Sequence, residues 1–375
     1  MLRRDVAAAL QPATSFAREV SGMRWQQRPQ GSNWGDFGPD DQLGRVNLIG
    51  PEQVVKGARE IQAGRSFCLS LPLDYPGGNK LNPRRHPPEL RPTFRDDSPY
   101  MNFPLAKVNP AATDVISDDQ VLLCLQYSTQ WDSLAHVGAL FDADGDGKLE
   151  RVYYNGYRAN ADIVGPVDYA DDDQFAAHDC SHGHTHSHAD ALGIENFAVK
   201  GMQGRGVLVD LADVFGMDFR NVGYDDLMHA MDTHRVEVEP GDMLLLRTGF
   251  AEVVLSMQRE PDEAVLHHSC AALNGRDARL LNWITDSGIA ALIADNYAVE
   301  RYPALPPPDE AKTHPLLPLH HHCLFKLGLP LGELWYLKDL ADWLRAHRRS
   351  RFMLTAPPLR LPGAVGSPVT PVATV

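Results

Sequence analysis

The most regular signal in the chain is a set of short, nearly continuous apolar runs bounded by Gly, Asp or Pro: residues 121–130 (VLLCLQYSTQ), 204–212 (GRGVLVDLA), 241–250 (GDMLLLRTGF) and 288–296 (GIAALIADN). Runs of this length without alternation are the pattern of strands buried on both faces. Around them, apolar residues recur at helical spacing over 51–63, 224–234, 278–286 and 337–347. Asp225 and Asp277 stand where N-caps belong, and Gly241 and Gly288 where connections must turn. Strands alternating with helices predict a single α/β domain with a mixed sheet over residues 21–375, preceded by an N-terminal segment, 1–20. Residues 74–110 and 302–318, rich in Pro, predict loops, yet they carry apolar residues that can pack, unlike a flexible linker.

Composition narrows the function classes. The 375 residues hold 35 Lys and Arg against 49 Asp and Glu, a net charge of −14. That balance disfavours nucleic acid and anionic membranes, so a small-molecule substrate is expected. With 43% hydrophobic residues the chain can bury a large core, which excludes wholesale disorder. No apolar run approaches membrane-span length, and the apolar stretch near the start is cut by Gln11 and Pro12, so neither a span nor a signal peptide is expected. Cys68, Cys124, Cys180, Cys270 and Cys323 form no C-x-x-C pair and fit reduced thiols in a cytoplasm.

The first candidate chemistry is QYSTQWDSLAH, residues 126–136. In an extended chain Gln126, Ser128, Gln130 and Asp132 share one face at roughly 7 Å repeats. Burying such a row costs about several kcal/mol unless each group finds a partner. Either a hydrogen-bond network or a metal or substrate must stand in front of it. A helical turn after Asp132 would bring His136, at i+4, beside the carboxylate. Trp131 reads as a stacking surface for an aromatic substrate or as core. Tyr154 and Asn155, together with Arg247, Thr248, Asp295, Asn296 and Glu300 at strand ends, read as substrate contacts or as structural hydrogen bonding.

Two further clusters carry open readings. In HDCSHGHTHSHAD (178–190), His182, His184, His186 and His188 alternate, giving either a second metal site or a polar surface loop. DADGDG (142–147) places Asp142, Asp144 and Asp146 as in a calcium loop, but Tyr153 stands where the bidentate Glu belongs, so a tight acidic turn is favoured. No G-x-S-x-G is present, and the Gly-rich GMQGRG (201–206) precedes a strand where a phosphate-cradling loop would follow one.

QYSTQWDSLAH resembles the signature HxGTHxDxPxH of the metal-dependent cyclase family that includes bacterial kynurenine formamidases and isatin hydrolases. NWGDFGPDDQLGRVNLI (33–49), YNG (154–156), ADNYAVE (294–300), GLPLGELW (328–335) and APPLRLPGAVGSPVTPVA (356–373) resemble the longer branch of the same family. The resemblance implies a swivelling β/β/α fold, a homodimer or homotetramer, and one divalent ion, Mn²⁺ or Zn²⁺. It further implies metal ligation by Asp132, Glu333 and a histidine of the triplet His320, His321, His322, of which His320 fits best, and a general acid/base role for His136. The two signature histidines are replaced by Gln126 and Gln130. An amide oxygen is a neutral, hard ligand that suits Mn²⁺ or Mg²⁺ better than Zn²⁺, which argues against a two-zinc centre. The expected activity is hydrolysis of a small cyclic amide, imide or lactone or of an N-acyl amide by metal-activated water. A secondary-metabolism cyclase or dehydratase, and a non-catalytic ligand-binding protein on a degenerate site, are the alternatives.

Overall fold

The computed structural model describes residues 23–166, 186–307, 309 and 312–375. Nine strands make one mixed sheet: β1 (Ser66–Cys68), β2 (Gln130–Asp132), β3 (Gln203–Asp210), β4 (Met243–Arg247), β5 (Ala291–Ala294), β6 (Leu331–Glu333), β7 (Arg351–Thr355), β8 (Gly366–Pro368) and β9 (Val372–Thr374). Across the sheet they lie in the order β1-β9-β7-β3-β4-β5-β6-β2-β8. The middle four, β3 to β6, run parallel; β7 and β2 border them antiparallel. Every residue of β4 and β5 is buried, as their unbroken apolar runs require.

The helical patterns become α1 (Pro51–Arg59), α2 (Tyr224–His234), α3 (Ala278–Ser287) and α4 (Lys338–Ala346). α1 packs on β3 and β7, and α2 on β3. Asp277 caps α3, its carboxylate accepting from Arg279 N at 2.9 Å and Leu280 N at 3.3 Å. Gly288 ends α3 at φ 68° and Gly241 turns into β4 at φ 88°. The Gly241 N–H donates to the Gly288 carbonyl at 2.9 Å, which locks the two turns together. Asp225 is not a cap. α2 begins after Gly223, whose N–H donates to Asp226, while Tyr224 N donates to Asp277 at 2.7 Å. Asp225 is left to pair with Arg279 at the surface.

The run 121–130 is not one buried strand. Residues 119–122 pair with Glu89–Pro92 in a separate ribbon, 123–129 bend, and only Gln130–Asp132 enters the main sheet. Side-chain bonds hold the bends: Tyr127 accepts from Gly77 N and donates to Gly78 O, and Thr129 accepts from Leu71 N while donating to Leu334 O. A straight strand would have left these polar groups buried without partners. The stretch 74–110 likewise contains more than loop: Phe94–Arg95 pairs with Ser98–Pro99, and Phe103–Pro104 with Val115–Ile116. Leu90, Phe94, Val115, Val121 and Leu122 in this ribbon arm are each more than half exposed. Residues 1–20 and most of the histidine-rich stretch lie outside the described residues. Among the described residues, no helix is long and apolar enough to cross a membrane.

Candidate functional site

The antiparallel register of β2 against β6 sets Gln130 opposite Glu333 and Asp132 opposite Leu331. Because side chains alternate along a strand, Gln130, Asp132 and Glu333 share one face. The Gln130 amide donates to Glu333 Oε2 at 3.1 Å and to Asp132 Oδ1 at 3.3 Å. His320 comes to the same place from a helical turn, Pro318–His320, that runs into a π-helical turn, His321–Lys326. Its Nε2 lies 3.3 Å from Glu333 Oε1 and 4.0 Å from Asp132 Oδ2. Its Nδ1 meets Glu300 Oε1 at 2.8 Å, and Glu300 also accepts from Leu319 N and His320 N at 2.9 and 3.0 Å. Of the triplet, His320 alone enters the cluster: His321 packs on Phe325, and His322 Nε2 faces Thr285 Oγ1 at 2.9 Å.

Gln130, Asp132, Glu300, His320 and Glu333 are all at most 4% exposed. Burial raises the Asp132 pKa, and the nearby Glu333 charge adds to it. Burial pushes Glu333 the same way, but the bond to His320 outweighs it and holds that carboxylate below its ordinary value. Burial would lower His320; its bonds to Glu300 and Glu333 instead raise it to about 10. Two buried atoms of this cluster have no hydrogen-bond partner, Asp132 Oδ2 and Gln130 Oε1. Such orphans mark a missing partner.

A cation suits that place. Ligand atoms of Asp132, His320 and Glu333 lie within 4.8 Å of one another, close to the ~3–4 Å donor separations that metal–ligand bonds of about 2.1 Å give. Two carboxylates and one imidazole match one oxygen-preferring divalent ion, to which Gln130 would add its amide oxygen if the amide turned its NH₂ away from the carboxylates. Glu300, bonded to the far nitrogen of His320, has the outer-shell position that orients a metal-binding histidine.

His136 stands at the rim, its Nε2 3.8 Å from Asp132 Oδ1. A turn closed by His136 N to Ser133 O, at 3.1 Å, brings it there in place of a helix. The other residues singled out by sequence are spent elsewhere. The chain bends before β2, so the straight row of Gln126, Ser128, Gln130 and Asp132 is not kept: Ser128 Oγ donates to Pro72 O at 3.4 Å, whereas the Gln126 side chain still reaches the Asp132 side of the sheet beside Gly366. Gln126 sits half-buried, its carbonyl accepting from Arg85 at 2.6 Å and its amide against Gly366, where a Cβ would come within 2.5 Å. Trp131 is fully buried on the opposite face, bonded to Ala356 O at 2.8 Å and edge-on to Trp335, so it is core and not a stacking surface. Asn155 donates to the carbonyls of Gly38, Pro39 and Asp41, and Tyr154 to Asp41, which pins the segment before α1. Arg247 pairs with Asp210 at 2.7 Å and Glu252 at 2.5 Å, away from the cleft. Asp295 accepts from Thr248 N, Thr248 Oγ1 and Gly249 N, and burial pushes its pKa to about 7. The carboxylates of Asp142, Asp144 and Asp146 accept backbone N–H groups of their own loop.

A cleft of about 160 Å³ opens onto His136, His320 and Glu333. Arg85, Tyr127, Tyr297 and Tyr302 line it. Tyr127 and Tyr297 lie within the stretches 126–136 and 294–300 but were not singled out there, and Arg85 and Tyr302 belong to the Pro-rich stretches read as loops; only the fold brings the four together.

The profile of the putative cyclase family matches residues 69–301. A crystal structure described as a novel cyclase is 32% identical, with a TM-score of 0.65, covering 92% of this chain and 97% of that one. Isatin hydrolase A from Labrenzia aggregata, solved bound to benzyl benzoate, is 13% identical with a TM-score of 0.50, covering 86% of this chain and 98% of its own. At that identity the likeness is one of fold. No curated protein sequence matches the chain significantly.

Proposed function

Because this chain belongs to the putative cyclase family, we propose that it is a metal-dependent hydrolase that opens a small cyclic amide, imide or lactone or cleaves an N-acyl amide. The observation that carries the reading is the convergence of Asp132, His320 and Glu333 on one buried point, with Asp132 Oδ2 unpartnered there. These three, with the Gln130 amide, would hold one divalent ion, Mn²⁺ or Zn²⁺. When bound, such an ion polarises a carbonyl and acidifies water.

The remaining work falls to the chain's own groups. Glu300 takes the Nδ1–H of His320 and so keeps Nε2 directed between Asp132 and Glu333, where it would offer its lone pair to an ion on giving up its proton. His136 at the rim is the general base that removes a proton from the attacking water and, as its acid, returns it to the departing nitrogen or oxygen. The buried floor of Gln130 and Asp132 keeps bulk water from the carboxylates.

The test is hydrolysis of an amide, imide and lactone panel in H₂¹⁸O with the metal-reconstituted protein. One labelled oxygen in the product, with turnover abolished by chelator and by Asp132→Asn, is expected. Turnover without label would instead give the cyclase or dehydratase reading.

A further inference from the structure

The hydrolytic reading leaves two arginines of the cleft without a task, Arg84, which is exposed, and Arg85, which is half-buried; Arg85 is the one held in place. Its Nη1 donates to the Gln126 carbonyl at 2.6 Å, which fixes the guanidinium against the cleft wall. Among the described residues it forms no ion pair, in a chain where most half-buried arginines have one. Behind the cleft lie the buried carboxylates Asp132, Glu300 and Glu333, of which Glu333 lines it. Their charge exceeds that of one divalent ion, so an anion approaching the site is repelled unless a cation stands at the mouth. Arg85, held at the cleft wall, is placed to be that cation.

The cleft also limits what the anion is attached to. Its volume is about 160 Å³, and an apolar cavity of roughly 150 Å³ admits benzene. Tyr127, Tyr297 and Tyr302, with Leu81 and Leu317, give the cleft an aromatic and aliphatic side, and Asn79, Asn82 and His136 stand among its polar groups. A single ring fits. The planar, forked guanidinium matches a carboxylate through two parallel N–H bonds.

We infer that Arg85 selects the substrate through a carboxylate, so that the substrate class is a single-ring amide bearing a carboxylate group. The amide half of this statement rests on the hydrolase reading; the carboxylate half rests on Arg85.

The experiment is calorimetric binding of acetanilide and of 2-, 3- and 4-acetamidobenzoate to full-length protein in Mn²⁺ buffer, as wild type, Arg85→Gln and Arg85→Lys, with metal content measured on the same samples. At least one acetamidobenzoate should bind tenfold or more tighter than acetanilide. That preference should vanish in Arg85→Gln and persist in part in Arg85→Lys, with metal content equal in all three. Carboxylate binding directly to the ion would survive Arg85→Gln and overturns the proposal. So does the absence of any preference, through equal binding or through no binding. Bound Mn²⁺ without a preference removes the Arg85 assignment and leaves the hydrolase reading; an Arg85-dependent preference in protein that holds no Mn²⁺ does the reverse.

Discussion

His320 and Glu300 form a buried pair, Nδ1 to Oε1 at 2.8 Å, and Glu300 also receives the two backbone N–H groups that open the turn carrying His320. One carboxylate thus fixes both the position of the ring and the nitrogen it presents to Glu333. Glu300→Gln keeps the size and one acceptor oxygen but loses the charge. Affinity for Mn²⁺, measured by competition with a chelating dye, should fall about 10- to 100-fold. Unchanged affinity would show that the pair does not orient a ligand.

Asp132 illustrates a conflict between function and stability. In metal-free protein it is a fully buried carboxylate with one unpartnered oxygen and a raised pKa. Asp132→Asn relieves the buried charge and should stabilise the metal-free protein by about 1–3 kcal/mol, read as a higher Tm in EDTA. In excess Mn²⁺ the order should reverse, since only the wild type gains binding energy, about 2.7 kcal/mol at a ligand concentration 100 times Kd. The same order under both conditions would contradict the site.

Asp295 gives a pH dependence with a definite sign. Its pKa is raised by burial from 3.8 to about 7, so between those values the native state holds a proton that the unfolded state has released. Stability from this group is therefore present at low pH and lost as pH rises through 7. Asp295→Asn does not titrate. The stability difference, variant minus wild type, should climb by roughly 1–4 kcal/mol between pH 4 and pH 8 in urea titrations. A flat difference would place the ionisation elsewhere.

The ribbon arm predicts self-association. Leu90 faces Val121 across the ribbon, and both are more than half exposed. An apolar, two-stranded projection of this kind is covered in stable proteins. We propose that a second copy of the chain covers it. Light scattering should give a dimer or tetramer of the 41.5 kDa chain, and Leu90→Asp with Val121→Asp should reduce the mass to one chain. A monomeric wild type would contradict this.

The parts of the fold that were legible in sequence are those whose burial is symmetric. β3, β4 and β5 sit inside the sheet on both faces, and α1 to α4 keep one apolar stripe, so their patterns survive translation into structure. Residues 121–130 looked equally apolar, but Val121 and Leu122 lie in the exposed arm, which hydrophobicity alone does not distinguish from a buried strand. The bends at 123–129 follow from contacts with Gly77, Gly78, Leu71 and Leu334, distant in sequence. At the site, Asp132, His136, His320 and Glu333 were picked out through resemblance to a signature; spacing alone left the motif ambiguous. Trp131, Tyr154, Asn155 and Arg247 drew notice by residue type and by nearness to strand ends, which does not tell a group facing the cleft from one facing the core. Arg85 went unremarked because its position depends on the Gln126 carbonyl, a partner that no side-chain pattern reveals.

The most direct test is metal content per chain, by elemental mass spectrometry on protein purified without a metal-affinity column, for wild type and Asp132→Ala. The account predicts about one divalent ion per wild-type chain and its loss in the variant. An equal content in both proteins, or none in either after incubation with Mn²⁺ and Zn²⁺, would contradict it.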